Sequence, residues 1–170
     1  RRGFLSKART APQPEVVYPV YKPEYRSYSA RRLLPGLSTF PVTGRSFIKS
    51  SVAAVESHSQ GHDLVYGHFL FPAGAAAVEV ARRMGFPAVV ALGESGYEFY
   101  ERHLGLKRMR KIARGFDGVL CVSPDNRDYA VNVLGIAEEK IIVAPNAADT
   151  DHFYPRIRAE ERARLGLSPD

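Results

Sequence analysis

The chain has a single cysteine and no tryptophan. A lone thiol excludes an internal disulfide, and no Cys/His cluster has metal-ligand spacing. No apolar run is long enough to span a bilayer, and the N-terminal RRGFLSKART lacks the apolar stretch of a signal peptide. GxGxxG and P-loop motifs are missing too, so the usual fingerprints of dinucleotide and nucleoside triphosphate sites have no support. Cys121, set in GVLCV, reads as a buried strand residue rather than a nucleophile. These absences point to a reducing, cytoplasmic location with no metal or cofactor.

What is present is ordinary for one globular core: 170 residues, 45% hydrophobic and 25% charged. The net charge of +6 is unevenly placed. Residues 1–60 hold ten Lys/Arg against three Asp/Glu, and 61–170 hold fourteen against fifteen. Two readings of the basic leader stand: a solvated segment, or a peripheral contact with the inner face of a membrane. No RNA- or DNA-binding motif occurs, so no nucleic acid partner is expected.

The pattern changes near residue 45. Before it, six prolines from Pro12 to Pro41 interleave with Tyr18, Tyr21, Tyr25 and Tyr28. Only VVYPV (16–20) and LSTFPV (37–42) look like strands there, and the rest reads as a long irregular loop. Beyond it, Phe47, Ile48, Val52 and Val55 recur at helical spacing. DLVYGHF (63–69), FPAVVAL (86–92), FDGVLCV (116–122) and KIIVA (140–144) are short apolar strand runs. Between them, PAGAAAVEVARRMG carries Pro72 in a first turn, Gly85 as a stop and a Glu79–Arg83 pair at i, i+4. Residues 97–114 read as helical, broken at Gly105, with an apolar face and a basic face of Lys107, Lys111 and Arg114. Ser123 caps a helix that begins at Pro124 and stops at Gly135, and 156–167 reads as a last helix. Apolar strands alternating with helices predict an α/β fold, a Rossmann-like parallel sheet with helices on both faces.

Open parallel sheets bind ligands beyond the carboxyl ends of their strands. The first end carries His68 and Phe69, the second Gly93, Glu94, Ser95 and Gly96, the third Ser123, and the fourth Asn146 and Asp149. His68 is either a structural histidine or a substrate contact. In GESG the glycines let backbone amides approach a ligand, and Glu94 is placed to accept from sugar hydroxyls or act as a base; a plain turn is the alternative. Ser123 reads first as a helix cap, although the amides of that turn also suit an anion. The basic face of Lys107, Lys111 and Arg114 is either solvated or a phosphate or membrane site.

DLVYGHFLFPAGAAAVEVARRMGFPAVVALGES, FDGVLCVSPDN, KIIVAPNAADTDHFYP and RARLGL resemble, in that order, the N-terminal half of glycosyltransferase family 4. The resemblance covers about residues 60–167. It implies half of a GT-B fold and a retaining transfer from a nucleotide-sugar, with no metal expected. It matches the family's "strand, His, Pro-x-Gly, helix" with His68, Pro72 and Gly74, its "Asp, strand, Val-Ser" with Asp117 to Ser123, and its Pro-Asn loop with Pro145, Asn146 and Asp149. Where many members have His-Gly-Ser-Asp, this chain has Gly93-Glu94-Ser95-Gly96, and Ala147-Ala148 stand in place of Gly-Val.

Charge distribution and the resemblance together give three expected parts. These are a basic, disordered leader over 1–15, a Rossmann-like domain over 16–155, and a linker helix over 156–170 leading to a missing donor-binding domain. The implied acceptor is a glycan or lipid-linked sugar, and the chain by itself is expected to be inactive. His68 and Glu94 are the candidate catalytic residues; Phe69, Gly74, Gly93, Ser95, Tyr97, Ser123, Asn146 and Asp149 are the candidate substrate contacts. Two other readings compete: another GT-B enzyme such as a nucleotide-sugar 2-epimerase, and a non-catalytic carbohydrate-binding or scaffold module.

Overall fold

A computed structural model describes residues 19–28, 32–34, 37–58 and 61–168, with 32–34 and 37 described by their backbone alone. The α/β class expected from the sequence is what it contains. Two short antiparallel strands, β1 (Arg32–Leu34) and β2 (Leu37–Ser38), precede the helix α1 (Phe40–His58). A four-stranded parallel sheet follows, built from β3 (Val65–His68), β4 (Ala88–Leu92), β5 (Gly118–Cys121) and β6 (Ile141–Val143) in the order β3-β4-β5-β6. α2 (Ala75–Met84) crosses from β3 to β4. α3 (Glu98–His103) and α4 (Leu106–Ala113) cross to β5, and α5 (Pro124–Tyr129), extended by a wider turn over 130–134, crosses to β6. A separate helix, α6 (Arg158–Arg164), ends the described chain.

Pairing places Gly67 beside Val90, Val90 beside Val119, and Leu92 beside Cys121. Parallel partners share a face, so Val90, Leu92, Val119 and Cys121 meet Met109, Ala113, Phe116, Ala130 and Leu134 in one core. The opposite face carries Tyr66, Val89, Leu120 and Ile142 and is the more exposed. The alanines of α2 allow close approach to the sheet: Ala76, Ala77 and Val80 are buried. Gly85 ends α2 in the left-handed region (φ 76°) and Gly135 does the same after residue 134 (φ 73°), conformations that favour glycine. The break at Gly105 is real and separates α3 from α4.

The segment 37–42 departs from its expected strand. Only Leu37–Ser38 pair, and Phe40, Pro41 and Val42 are already helical. Pro41 suits a first turn, where no amide is needed, better than a strand. Residues 19 and 20 belong to no strand, whereas 16–18 and the leader over 1–15 lie outside the described residues. Segment 19–28 lies along α1, held by three hydroxyls on one helical stripe. Ser50 Oγ donates to the Glu24 carbonyl, Ser46 Oγ accepts from the Arg26 amide at 2.8 Å, and Thr43 Oγ1 accepts from the Tyr28 amide at 2.8 Å.

Candidate functional site

The loops after β4 and β5 form a cleft of about 430 Å3 at the carboxyl edge of the sheet. Gly93, Glu94, Ser95, Tyr97 and Ser123 all line it. The sequence reading therefore named five residues that the fold brings together. Ser123 is the N-cap of α5: its Oγ accepts from the Asn126 amide at 3.1 Å and donates to Asn126 Oδ1 at 2.7 Å. Glu94 reaches back to the preceding crossover, where its Oε1 accepts from the Leu70 amide at 2.6 Å. Its Oε2 accepts from the Tyr97 hydroxyl at 3.3 Å.

Burial holds the Glu94 carboxyl above the usual carboxylate range, with the Leu70 amide opposing that shift by favouring the ionised form. Burial, followed by the neighbouring Glu94 charge, keeps the Tyr97 hydroxyl protonated far above its ordinary value. The same two causes push Tyr100 up to about 12 and Cys121 to about 11. Cys121 is fully buried in β5, as its sequence setting predicts, and its thiol is a poor nucleophile there.

Sequence reasoning assigned no role to Asn126, Tyr129 or the acidic wall. Asn126 is the one buried polar residue among those described. Its Nδ2 donates to the Glu94 carbonyl at 3.0 Å and to the Tyr97 hydroxyl at 3.1 Å, so one amide joins both loops of the cleft. Tyr129 stacks on Tyr97 with centroids 3.8 Å apart and rings 3° from parallel, and its hydroxyl donates to Glu101 at 2.6 Å. Ser123-Pro124-Asp125-Asn126 is a helix start, and an asparagine three residues after a serine cap was the available signal. Nothing local marks Tyr129 as an aromatic partner 32 positions from Tyr97.

His68 ends β3, exposed, its ring stacked on Phe69 at 4.2 Å. No hydrogen bond engages its ring nitrogens among the described residues. Phe69 takes φ 69°, the one positive value outside glycine among the described residues, and its amide donates to the Ala91 carbonyl at 2.8 Å. That turn aims the Phe69 ring at Gly93, whose missing Cβ would lie 3.7 Å from it. His68 and Phe69 therefore flank the cleft at its β4 side without lining it. Gly74 is buried beneath: a Cβ there would meet the Phe69 carbonyl at 2.7 Å and Phe116 at 3.1 Å, so packing accounts for it. Asn146 and Asp149 lie on an exposed loop after β6, apart from the residues that line the cleft. Asp149 folds that loop locally, accepting from the Asp151 amide at 3.0 Å and pairing with His152 Nδ1 at 2.8 Å. Asp117 sits at the other end of the sheet, where its Oδ2 accepts from the Ala88 amide at 2.8 Å.

A parallel sheet with crossover helices, whose carboxyl edge opens into a polar, acid- and tyrosine-walled cleft, defines an α/β Rossmann-like domain, one half of a GT-B fold. The profile of Glycosyltransferase Family 4 matches residues 7–152, and the chain belongs to that family. It is 26% identical over 156 residues to a protein of Bacillus subtilis (strain 168) named as a teichuronic acid biosynthesis glycosyltransferase, TuaC, a match covering 89% of this chain and 38% of that protein. It is also 26% identical over 139 residues to the D-inositol 3-phosphate glycosyltransferase of Frankia alni, covering 74% of this chain and 33% of that protein. The chain thus spans about a third of the length of these two relatives. No helix among the described residues is long and apolar enough to cross a membrane.

Proposed function

We propose that the chain is the acceptor-side domain of a retaining glycosyltransferase, which moves a sugar from a nucleotide-sugar to a glycan or lipid-linked acceptor. The observation that carries this reading is the Glu94 cleft at the carboxyl edge of the sheet, in a chain of this family. Residues 16–155 act as the acceptor domain, and 156–170 lead toward a donor-binding domain. The transfer site forms between the two, so the chain by itself is inactive. The resemblance names no cofactor or metal for this transfer.

Within that reading His68 is the group placed to touch the reacting sugar, since it is exposed and its nitrogens carry no hydrogen bond among the described residues. Glu94 acts differently: both of its oxygens are engaged, and it fixes the loops after β3 and β4 relative to each other while facing the cleft. The remaining lone pairs of its carboxylate accept from an acceptor hydroxyl. Gly93, Ser95 and Tyr97 form the floor and wall, and Asn146 and Asp149 face the second domain. The test is transfer by the full-length enzyme. His68→Ala and Glu94→Gln are each expected to lower kcat/KM by roughly tenfold to a hundredfold, the worth of about one or two charge-assisted hydrogen bonds. Wild-type turnover in both variants removes these residues from the site.

A further inference from the structure

α3 separates two clefts of opposite charge. On one side Glu98 and Glu101 join Glu94 and Asp125 around the cleft described above, with no lysine or arginine among the described residues that line it. On the other side, a second cavity of about 540 Å3 opens between the first turns of α1 and the start of α4. Arg45 of α1 and Lys107, Arg108 and Lys111 of α4 line it, and among the described residues no carboxylate does. None of these four cations forms an ion pair among the described residues. The basic face read from the sequence is thus partly re-sorted: Arg114 is left out, and Arg45 and Arg108 come in.

Two features give this cavity its positive sign, and a third fixes its walls. Like charges at i and i+4, here Lys107 and Lys111, repel along α4, a cost that a bound anion offsets. Pro41 and Val42 on one side, and Gly105 and Lys107 on the other, bring the positive ends of two helix dipoles to the same space. The walls are also tied in place. His103, from the last turn of α3, has Nδ1 2.8 Å from Ser38 Oγ, which itself accepts from the Phe40 amide at 3.1 Å. The end of α3 and the start of α1 are therefore held together without any ligand. The volume suits a small phosphorylated molecule or a headgroup.

We propose that this cavity is an anion subsite that binds a phosphate-bearing group, held by Arg45 and Arg108 through paired N–H donors and by Lys107 and Lys111 as point charges. The inference concerns binding alone and stands apart from the transfer chemistry above. Its test uses pyridoxal 5′-phosphate on the full-length protein: the aldehyde condenses with a lysine amine beside a phosphate site, and borohydride reduces the imine to a stable amine. Peptide mapping then reads which lysines are marked. Lys107 and Lys111 are expected to be marked ahead of Lys140, whose Nζ is committed to the Phe116 carbonyl at 2.8 Å. Inorganic pyrophosphate should protect Lys107 and Lys111. Arg45→Gln should weaken that protection by roughly tenfold, the worth of one charge-assisted hydrogen bond. Phosphatidylglycerol vesicles form the second arm. Protection by pyrophosphate alone assigns the site to soluble phosphates, and protection by both assigns it to a lipid headgroup. Protection by vesicles alone, no protection by either, or protection unchanged in Arg45→Gln overturns the subsite.

Discussion

Asn126 and Glu94 lie 32 residues apart and are joined by a 3.0 Å hydrogen bond from a side-chain amide to a main-chain carbonyl. Through that bond the first turn of α5 holds the loop that follows β4. The same amide reaches the Tyr97 hydroxyl, and Ser123 fixes the other end of the side chain. Asn126→Ala leaves a buried hydroxyl and a carbonyl without their donor. The expected loss is about 2–3 kcal/mol of stability, the cost of unsatisfied buried polar groups, read as a lower midpoint in urea unfolding. A midpoint within error of wild type would show that the two loops hold each other by packing alone.

Gly67 argues a steric point one strand away. A Cβ on it would stand 2.8 Å from Gly74 Cα and 3.0 Å from Gly74 N, both backbone atoms of the following crossover. Neither atom has a rotamer to yield, so Gly67→Ala must push the crossover off the sheet. About 2 kcal/mol of destabilisation is expected, together with a shift of His68, the next residue. Thermal unfolding of the purified variant checks the first part. An unchanged melting temperature would mean that the crossover is looser than its packing implies.

Much of this architecture was legible in the sequence because it is local. The apolar runs at 86–92 and 116–122, the Gly105 break and the Ser123 cap follow from short-range chemistry, and the strand-end rule gathered Glu94, Ser95 and Ser123 at one cleft. What was not legible is contact across crossovers. Nothing near Asn126 says that it will meet the carbonyl of Glu94, and nothing near Tyr129 says that it will stack on Tyr97. Segment 37–42 misled for a different reason. Its β-type residues outweighed Pro41, whose restricted φ suits a helix start as well as a strand edge.

Glu79 gives the surface its clearest charge effect. It accepts from Arg82 and from Arg83 at i+4, and Arg83 also reaches Glu56 at 3.0 Å, which joins α2 to α1. These hydrogen bonds to Arg82 and Arg83 lower its carboxyl from 4.5 to about 2. A depressed acid contributes stability above its unfolded value and loses it as pH falls toward the folded one, so the window is from 4.5 down to about 2. The group is partly exposed, and solvent screening limits the contribution to about 1 kcal/mol. Glu79→Gln should match wild type near pH 2 and fall below it at pH 6. Equal stability of the two proteins at pH 6 would remove the network from the account.

Glu94 should behave in the opposite sense, and the contrast tests the burial that the cleft requires. Its carboxyl is raised above 4.5, first by desolvation, so the folded protein binds a proton more readily than the unfolded chain does. Stability from that proton is complete below 4.5 and is lost as pH climbs through the raised value. Glu94→Gln keeps an oxygen for the Leu70 amide while removing the buried charge. Its unfolding free energy should therefore gain on wild type as pH rises from about 4 to 8, the reverse of the Glu79 variant. In the full-length enzyme the same shift should move the acid limb of the transfer profile upward, because the ionised carboxylate is the form that accepts from a sugar hydroxyl. Unfolding curves at four or five pH values decide the matter. A stability difference that stays flat, or that narrows toward high pH, would place Glu94 in contact with bulk water and end its role as the buried link between the loops after β3 and β4.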